Sequence, residues 1–386
     1  MIIGFIVGYY QKQKRELIQV ILITIKLPVI SSVPPPDMDD TQGCIQCQAG
    51  SKLVLFVTGK CHWMCDYCPL SDNRREIDIM YANERPCNDF TEVIEEAKAM
   101  NATGTGITGG DPMMARERSI EAIKHLKKEF GPNHHIHLYT SIPFNTKYAK
   151  ELKEAGLDEI RFHLLKLELE KYIPTIEACA QAGILTGIEL PAEPDKAEIL
   201  EKLLDQLNQT SISFINLNEL EITVGNYENM ELRGFNISNE ITAGAEGSAE
   251  LALKLKHKVS SGDYNFHLKF CTSQYKDAGQ LRARFSRRAK ANLQLWEEIS
   301  DDDTIVFGAI YSSVEDYENH ILELTQEFEL DSRWINWNSK YERIELPISI
   351  VEEICDEIEI PCAQVEVHPT HERLEVGLVW LNNYVK

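Results

Sequence analysis

Short apolar runs alternate with amphipathic segments from residue 51 to about residue 224. Apolar runs bounded by turn residues predict strands, and apolar residues recurring every three or four positions predict helices. Right-handed crossovers would join these units into a parallel sheet, curved like three-quarters of a TIM barrel. We therefore predict an α/β fold with a partial (βα)6 barrel. Its strands are KLVLFVTG (52–59), GTGIT (104–108), HIHLYTS (135–141), EIRFHLL (159–165), LTGIELPA (185–192) and SFINLNELEIT (213–223).

The remaining patterns predict a second, smaller domain. After the acidic break SDDD, strand and helix patterns follow one another to the end of the chain, which predicts a small ferredoxin-like α+β domain. The organisation we expect is an N-terminal extension with a Pro-rich linker (1–40), the barrel core (41–265), a basic helical connector (266–300) and the α+β domain (301–386).

The N-terminal segment raises the question of targeting. Its apolar run from Leu17 to Ile30 contains Lys26 and Pro28 and is too short to span a bilayer. An anchor, an appended strand and a disordered leader remain alternatives, and translation starting at Met38 is a further hypothesis. We expect a cytoplasmic protein with no membrane partner.

The composition is that of a folded, acidic protein. The 386 residues are 43% hydrophobic and carry a formal net charge of -22, which as a whole repels nucleic acid and anionic membranes. One helix-like stretch is strongly basic, and it predicts either a solvated face paired with acidic neighbours or a phosphate-contacting surface. Its cations are Lys276, Arg282, Arg284, Arg287, Arg288 and Lys290.

Three of the ten cysteines, Cys61, Cys65 and Cys68, follow the first predicted strand in C-x3-C-x2-C spacing. Structural zinc takes four tetrahedral ligands, so three cysteines leave such a site one ligand short. A 4Fe-4S cubane held by three cysteines instead leaves one iron open to a small molecule. The spacing therefore favours an iron–sulfur cluster over a zinc knuckle.

With the motif TGGDP at 108–112, this pattern resembles the radical SAM superfamily, and among its members proteins related to pyruvate formate-lyase activating enzyme. The resemblance implies a 4Fe-4S cluster on Cys61, Cys65 and Cys68, with S-adenosylmethionine (SAM) bound to the open iron and Tyr67 near the adenine. It also implies SAM contacts from Gly109, Gly110 and Asp111, where Asp replaces the family's Glu, and from Thr140 and Ser141. Electron transfer to SAM then yields a 5'-deoxyadenosyl radical that abstracts hydrogen from a substrate.

Alternation along two later strands adds candidate contacts. Glu189 and Asn218 are predicted to face the barrel interior, where a polar side chain needs a ligand or a partner. For Glu189, a rim salt bridge is the alternative. His134, His135 and His137 suggest a metal, but with no carboxylate or cysteine near them in the sequence we favour strand packing.

Cys44, Cys47 and Cys271 suggest a second metal site. If the fold brings them together, they offer three thiolates for zinc or an auxiliary iron–sulfur cluster. His62, His267, Cys87 or water would supply the fourth ligand. A redox dithiol or a simple turn explains the C-x2-C spacing equally well.

These observations predict a radical SAM oxidoreductase acting on a protein or peptide, including the glycine of a glycyl radical enzyme. One alternative is a radical SAM enzyme that modifies tRNA or a nucleotide. Another is a non-catalytic iron–sulfur or zinc-binding scaffold. The expected partners are a reducing electron donor of the ferredoxin or flavodoxin type and a substrate protein, peptide or RNA.

Overall fold

A computed structural model describes residues 40–238 and 242–382. The predicted N-terminal extension, its Pro-rich linker and the alternative start at Met38 lie outside these residues. Among the described residues, no helix combines the length and the apolar character needed to cross a membrane.

The described strands are β1 (Lys52–Phe56), β2 (Met80–Ala82), β3 (Arg85–Cys87), β4 (Gly104–Thr108), β5 (His135–Thr140), β6 (Glu159–Phe162), β7 (Leu185–Ala192), β8 (Phe214–Glu219), β9 (His267–Cys271), β10 (Glu298–Ile299), β11 (Ile305–Tyr311), β12 (Asn336–Asn338), β13 (Arg343–Leu346), β14 (Cys362–Val367) and β15 (Glu375–Trp380). Six of them, β1 and β4 to β8, lie within the six predicted ranges.

The helices occupy most of the amphipathic segments between the strands. They are α1 (Gln42–Gln48), α2 (Phe90–Ala99), α3 (Arg116–Phe130), α4 (Lys147–Ala155), α5 (Ile173–Gln181), α6 (Ala197–Leu207), α7 (Tyr227–Leu232), α8 (Ser248–Ser261), α9 (Leu281–Asn292), α10 (Tyr317–Gln326) and α11 (Ile348–Ile354).

The chain forms two compact units. Among the described residues, the first comprises 40–48, Phe56–Ile79 and Gly106–Leu281, and the second comprises Ala49–Leu55, Met80–Thr105 and 282–382.

A parallel sheet is the framework of the first unit. Its strands lie in the order β4-β5-β6-β7-β8-β9, and β5 to β9 pair in parallel. This confirms the α/β class. Ile136, Ile160 and Ile188 are buried on one face of the sheet. Because successive side chains of a strand alternate, the opposite face carries the polar residues. We call this opposite face the polar face, and its residues include His135, His137, Tyr139, Glu159, Arg161, His163, Glu189, Asn216, Asn218, Lys269 and Cys271.

The second unit contains an antiparallel sheet in the order β12-β13-β11-β14-β15, with β10 paired to β11. Its core includes Ile310, Ile344, Val351 and Cys362. The same unit contains the β2–β3 hairpin and α2, which Asp89 caps by accepting from the N–H groups of the first turn.

Candidate functional site

The cysteine-bearing loop, residues 60–79, begins and closes at the same glycine. The N–H of Gly59 donates to the carbonyl of Ile77 (2.8 Å), and the carbonyl of Gly59 accepts from the N–H of Glu76 (3.0 Å). A Cβ at Gly59 would lie 1.9 Å from the carbonyl oxygen of Arg74. Only glycine therefore fits this closure, which holds the motif on a short loop directly after β1 in the sequence.

Cys61, Cys65 and Cys68 are half-buried free thiols on this loop. Burial and the neighbouring Cys68 and Cys61 raise the pKa of Cys65 to about 11. Among the described residues, these three sulfurs do not converge within the 4.8 Å expected around a single ion. A cubane binds each thiolate through a different iron and so needs wider spacing. Three thiols on one short loop are the donor set that such a cluster takes, and binding it requires them to lose their protons; their role as cluster ligands stays a prediction.

Gly109 and Gly110 allow the second motif to pack directly against the start of this loop. The N–H of Gly110 donates to the carbonyl of Thr58, and the N–H of Asp111 to that of Lys60, both at 2.8 Å. A Cβ at Gly109 would lie 2.4 Å from the Thr58 oxygen, and one at Gly110 would lie 2.4 Å from the Lys60 oxygen. Both glycines therefore serve a backbone-to-backbone contact. Their approach to SAM stays a prediction.

The carboxylate of Asp111 is buried and holds the turn that follows β5. Its Oδ1 accepts from the Thr140 hydroxyl (2.9 Å) and the Met113 N–H (2.9 Å). Its Oδ2 accepts from the N–H and the hydroxyl of Ser141, both at 2.7 Å. Three predicted SAM contacts, Asp111, Thr140 and Ser141, are thus brought together, and they bind one another. Their contact with SAM stays a prediction.

Tyr67 is held by a histidine that the sequence analysis missed. Its hydroxyl lies 2.7 Å from Nε2 of His163, whose Nδ1 lies 3.1 Å from the carbonyl oxygen of Glu189. Burial lowers the pKa of His163 and so favours a neutral ring. Since a carbonyl can only accept, Nδ1 carries the proton and Nε2 accepts from Tyr67. The alternation of Glu159, Arg161 and His163 in EIRFHLL was the available signal.

The segment after β8 holds the same tyrosine from another side. The Asn226 side chain donates to the carbonyl of Tyr67 (2.9 Å). The ring of Tyr67 packs against a buried cluster of Leu220, Ile222, Met230 and Ala245. Arg233 pairs with Asp66 at 3.6 Å. Asn226, Met230 and Arg233 therefore help to position the cysteine-bearing loop.

Glu189 lies at the centre of a hydrogen-bonded network on the polar face. It accepts from Arg161 (2.8 Å), Asn216 (3.0 Å) and Asn218 (2.9 Å). Burial opposes its ionisation, but Arg161 and the two asparagines outweigh burial and hold the pKa of Glu189 below its ordinary value. A salt bridge, the alternative role considered for Glu189, is thus present with Arg161. Contacts of Glu189 and Asn218 with SAM or substrate stay predictions.

A comparison with curated proteins decides the family. The chain is 37% identical over 351 residues to a Methanocaldococcus jannaschii protein that carries the provisional name of a glycyl-radical enzyme activating enzyme. The match covers 87% of this chain and 91% of the relative. The family model of the radical SAM superfamily matches residues 55–168. The chain belongs to the radical SAM superfamily.

Other likenesses are more limited. The GTP 3',8-cyclase of Lactiplantibacillus plantarum is 27% identical over 141 residues, covering 36% of this chain and 41% of that protein. The model of a domain of unknown function, DUF8061, matches residues 303–379. Streptococcus suis SuiB bound to S-adenosylmethionine is 16% identical at a TM-score of 0.41, covering 57% of this chain and 50% of SuiB. With a TM-score this low, we base no argument on that structure.

The cysteines outside the superfamily motif are dispersed. Cys44 is buried, with its sulfur 3.4 Å from Nη2 of Arg161. Burial, followed by the nearby Cys44, raises the pKa of Cys271 to about 12. Cys47 is half-buried. The described part of the chain does not bring Cys44, Cys47 and Cys271 together within 4.8 Å. This argues against one zinc ion shared by the three thiols, whereas an auxiliary iron–sulfur cluster, which needs wider spacing, stays a prediction.

Gly110→Ala is expected to reduce cluster occupancy sharply. The added Cβ would collide with the backbone of Lys60, beside Cys61, and push the loop away from its position. Iron and sulfide per chain after anaerobic reconstitution measure the effect. Gly131→Ala is the matched control, because its Cβ would meet nothing within 4 Å although φ there is +84°. Equal iron contents in the two variants would contradict the expectation.

Proposed function

We propose that this chain reductively cleaves SAM at a 4Fe-4S cluster and abstracts hydrogen from a protein or peptide substrate, in the manner of a glycyl-radical enzyme activase. The observation that carries the proposal is a closed loop presenting three thiols, with Gly109 and Gly110 packed against its start. Superfamily membership supports the cluster and SAM. The name of the Methanocaldococcus relative supports a protein substrate. An external reductant of the ferredoxin or flavodoxin type is part of the same proposal.

In this proposal Cys61, Cys65 and Cys68 hold the cluster and leave one iron open. Bound together, cluster and SAM supply the 5'-deoxyadenosyl radical. The protein's own contribution is geometric: the Gly109–Gly110 contact fixes the start of the loop, and His163 and Asn226 fix Tyr67. Half-buried Glu189 and Asn218 offer polar contacts on the same face of the sheet.

The tRNA alternative depends on the basic stretch, and the structure pairs most of that stretch internally. Within the second unit, Arg288 binds Glu96 through two bonds of 3.0 Å, and Arg282 binds Asp303 at 3.2 Å. Arg284 binds Glu84, and Arg287 donates to backbone carbonyls. In the first unit, Lys276 binds Glu221 at 2.8 Å. This matches the prediction of a helix face paired with acidic neighbours and weakens the case for an RNA surface.

Arg288→Gln is expected to lower stability by about 1.5–3 kcal/mol, the usual contribution of a hydrogen bond to a charged group. The buried Glu96 would lose its cation. Chemical denaturation measures the change, and Lys290→Gln is the control because Lys290 is exposed. If Arg288→Gln left stability unchanged but abolished binding to bulk tRNA, the RNA alternative would gain and this assignment would fail.

The test of the proposed function is SAM cleavage. The anaerobically reconstituted protein, with dithionite and SAM, is expected to release 5'-deoxyadenosine and methionine in equal amounts. Adding a glycyl radical enzyme from the same source organism would then give an organic radical signal on its glycine by EPR. A bound cluster with no SAM cleavage would support the scaffold alternative and overturn the proposal.

We also propose that residues 301–386 form a ferredoxin-like domain. Strands and helices alternate from β11 to β14 as βαββαβ, and the first four strands of the sheet lie in the order β12-β13-β11-β14. A separately expressed 301–386 fragment that failed to fold would argue against an independent domain.

A further inference from the structure

Two histidines and a glutamate come together on neighbouring strands of the first unit. His135 and His137 alternate along β5, so their side chains leave the same face of the sheet. The parallel register of β5 and β6 places Glu159 directly opposite His137. One ligand atom from each of the three side chains falls within 4.8 Å of the other two. The carboxylate that the sequence did not place near these histidines is thus supplied by the next strand.

The distances suit a metal of small radius. Nε2 of His135 lies 3.5 Å from one carboxylate oxygen of Glu159, and Nδ1 of His137 lies 3.9 Å from the other. With zinc–ligand bonds of about 2.0–2.1 Å, ligand atoms at the corners of a tetrahedron lie about 3.3–3.4 Å apart. Small side-chain rotations would therefore bring the three ligand atoms to these separations. Two imidazoles, one carboxylate and a water form a donor set that Zn²⁺ uses in proteins.

The surroundings of Glu159 resemble those of a metal ligand. Its side chain is fully buried, and Nε of Arg161 donates to its Oε1 at 2.5 Å. Carboxylates that bind metals are commonly oriented by such an outer hydrogen bond. Arg161 also binds Glu189 at 2.8 Å, which fixes the guanidinium beside Glu159.

Helix α1 packs closely against these side chains. A Cβ at Gly43 would lie 2.8 Å from Nδ1 of His137, 2.9 Å from Oε2 of Glu159 and 2.9 Å from Nη2 of Arg161. Glycine at 43 therefore lets the helix backbone lie directly against the three side chains. On the other side of the ring, a Cβ at Gly106 would lie 2.6 Å from Nε2 of His137. Glycine at 106 lets the ring lie flat against β4, with Nδ1 facing Gly43.

We propose that His135, His137 and Glu159 bind one Zn²⁺ ion, distinct from the iron–sulfur cluster and from Cys44, Cys47 and Cys271. The ion would cross-link β5 to β6 on the polar face. This site requires no contact with SAM, and it does not depend on the proposed activity.

The test uses the full chain with its reconstituted cluster, so that Cys61, Cys65 and Cys68 are occupied. After dialysis against EDTA and titration with Zn²⁺, we expect one zinc per chain in addition to the iron. Titration with Co²⁺ is expected to give visible bands without the near-ultraviolet sulfur-to-cobalt band of a cysteine site. Thermal unfolding is expected to shift upward with zinc.

His135→Gln and His137→Gln each remove one imidazole ligand, and each is expected to weaken zinc binding by more than about 100-fold, the upper range for loss of an outer-shell partner. Cys44→Ser is the matched control and is expected to bind normally. Circular dichroism shows whether each variant is folded. Absence of zinc binding by the unmodified protein, loss of zinc in Cys44→Ser, or binding unchanged in both His135→Gln and His137→Gln would each overturn the proposal.

Discussion

Cys65→Ala is expected to abolish SAM cleavage. The variant removes one of three thiolates and leaves a cluster with two ligands on a loop that offers no replacement cysteine. Formation of 5'-deoxyadenosine is expected to fall by more than about 100-fold, because even loss of an outer-shell partner of a metal ligand costs about 10–100-fold. Iron per chain is expected to fall with it. Both are measured on anaerobically reconstituted protein.

The matched control is Cys179→Ala. Cys179 is buried in α5, and burial alone raises the pKa of its thiol to about 12, as in an apolar environment. Its removal deletes the same sulfur from a packing position. We expect full iron content and unchanged SAM cleavage. If Cys179→Ala lost the cluster while Cys65→Ala kept it, the assignment of the cluster to residues 61–68 would be wrong.

Arg161→Met is expected to destabilise the protein by about 3–5 kcal/mol, the usual result of removing one partner from a buried ion pair. Arg161 is buried and binds both Glu159 and Glu189, so methionine would leave two carboxylates without their cation. Urea denaturation near neutral pH measures the loss. Arg116→Met is the control, since Arg116 is partly exposed and stacks on the ring of Tyr148. Comparable losses in the two variants would contradict the central role of Arg161.

The same network predicts how stability responds to acid. The pKa of Glu189 is lowered in the folded protein, relative to an ordinary value of 4.5. The stability that ionised Glu189 contributes is therefore fully present above a pH of about 4.5. It is lost as the pH falls through the lower pKa of the folded state. In Arg161→Met, no guanidinium offsets the effect of burial on the Glu189 carboxylate, and the pKa of Glu189 is expected to rise. Stability of the variant then falls less steeply with acid. Parallel pH curves for wild type and variant would contradict this account.

Local sequence determined much of the fold. Apolar runs and amphipathic periods placed β4 and β7 at their observed residues, and they located β5, β6 and β8 to within a few residues. The polar face was also readable, because alternation is a property of each strand by itself. The family was visible in the spacing of Cys61, Cys65 and Cys68, since ligands on one short loop need no long-range contact to be close.

Tertiary structure decided which polar residues meet. Glu159 and His137 are opposite each other only because of the register between β5 and β6, which neither strand specifies by itself. Asp111 has a partner in Ser141, and Tyr67 in His163, through contacts that span 30 and 96 positions. For the basic stretch, the sequence left open whether acidic neighbours pair with it, and its partners Glu84 and Glu96 lie about 200 positions away. Local patterns report which face a side chain occupies, whereas its partners depend on how distant segments pack.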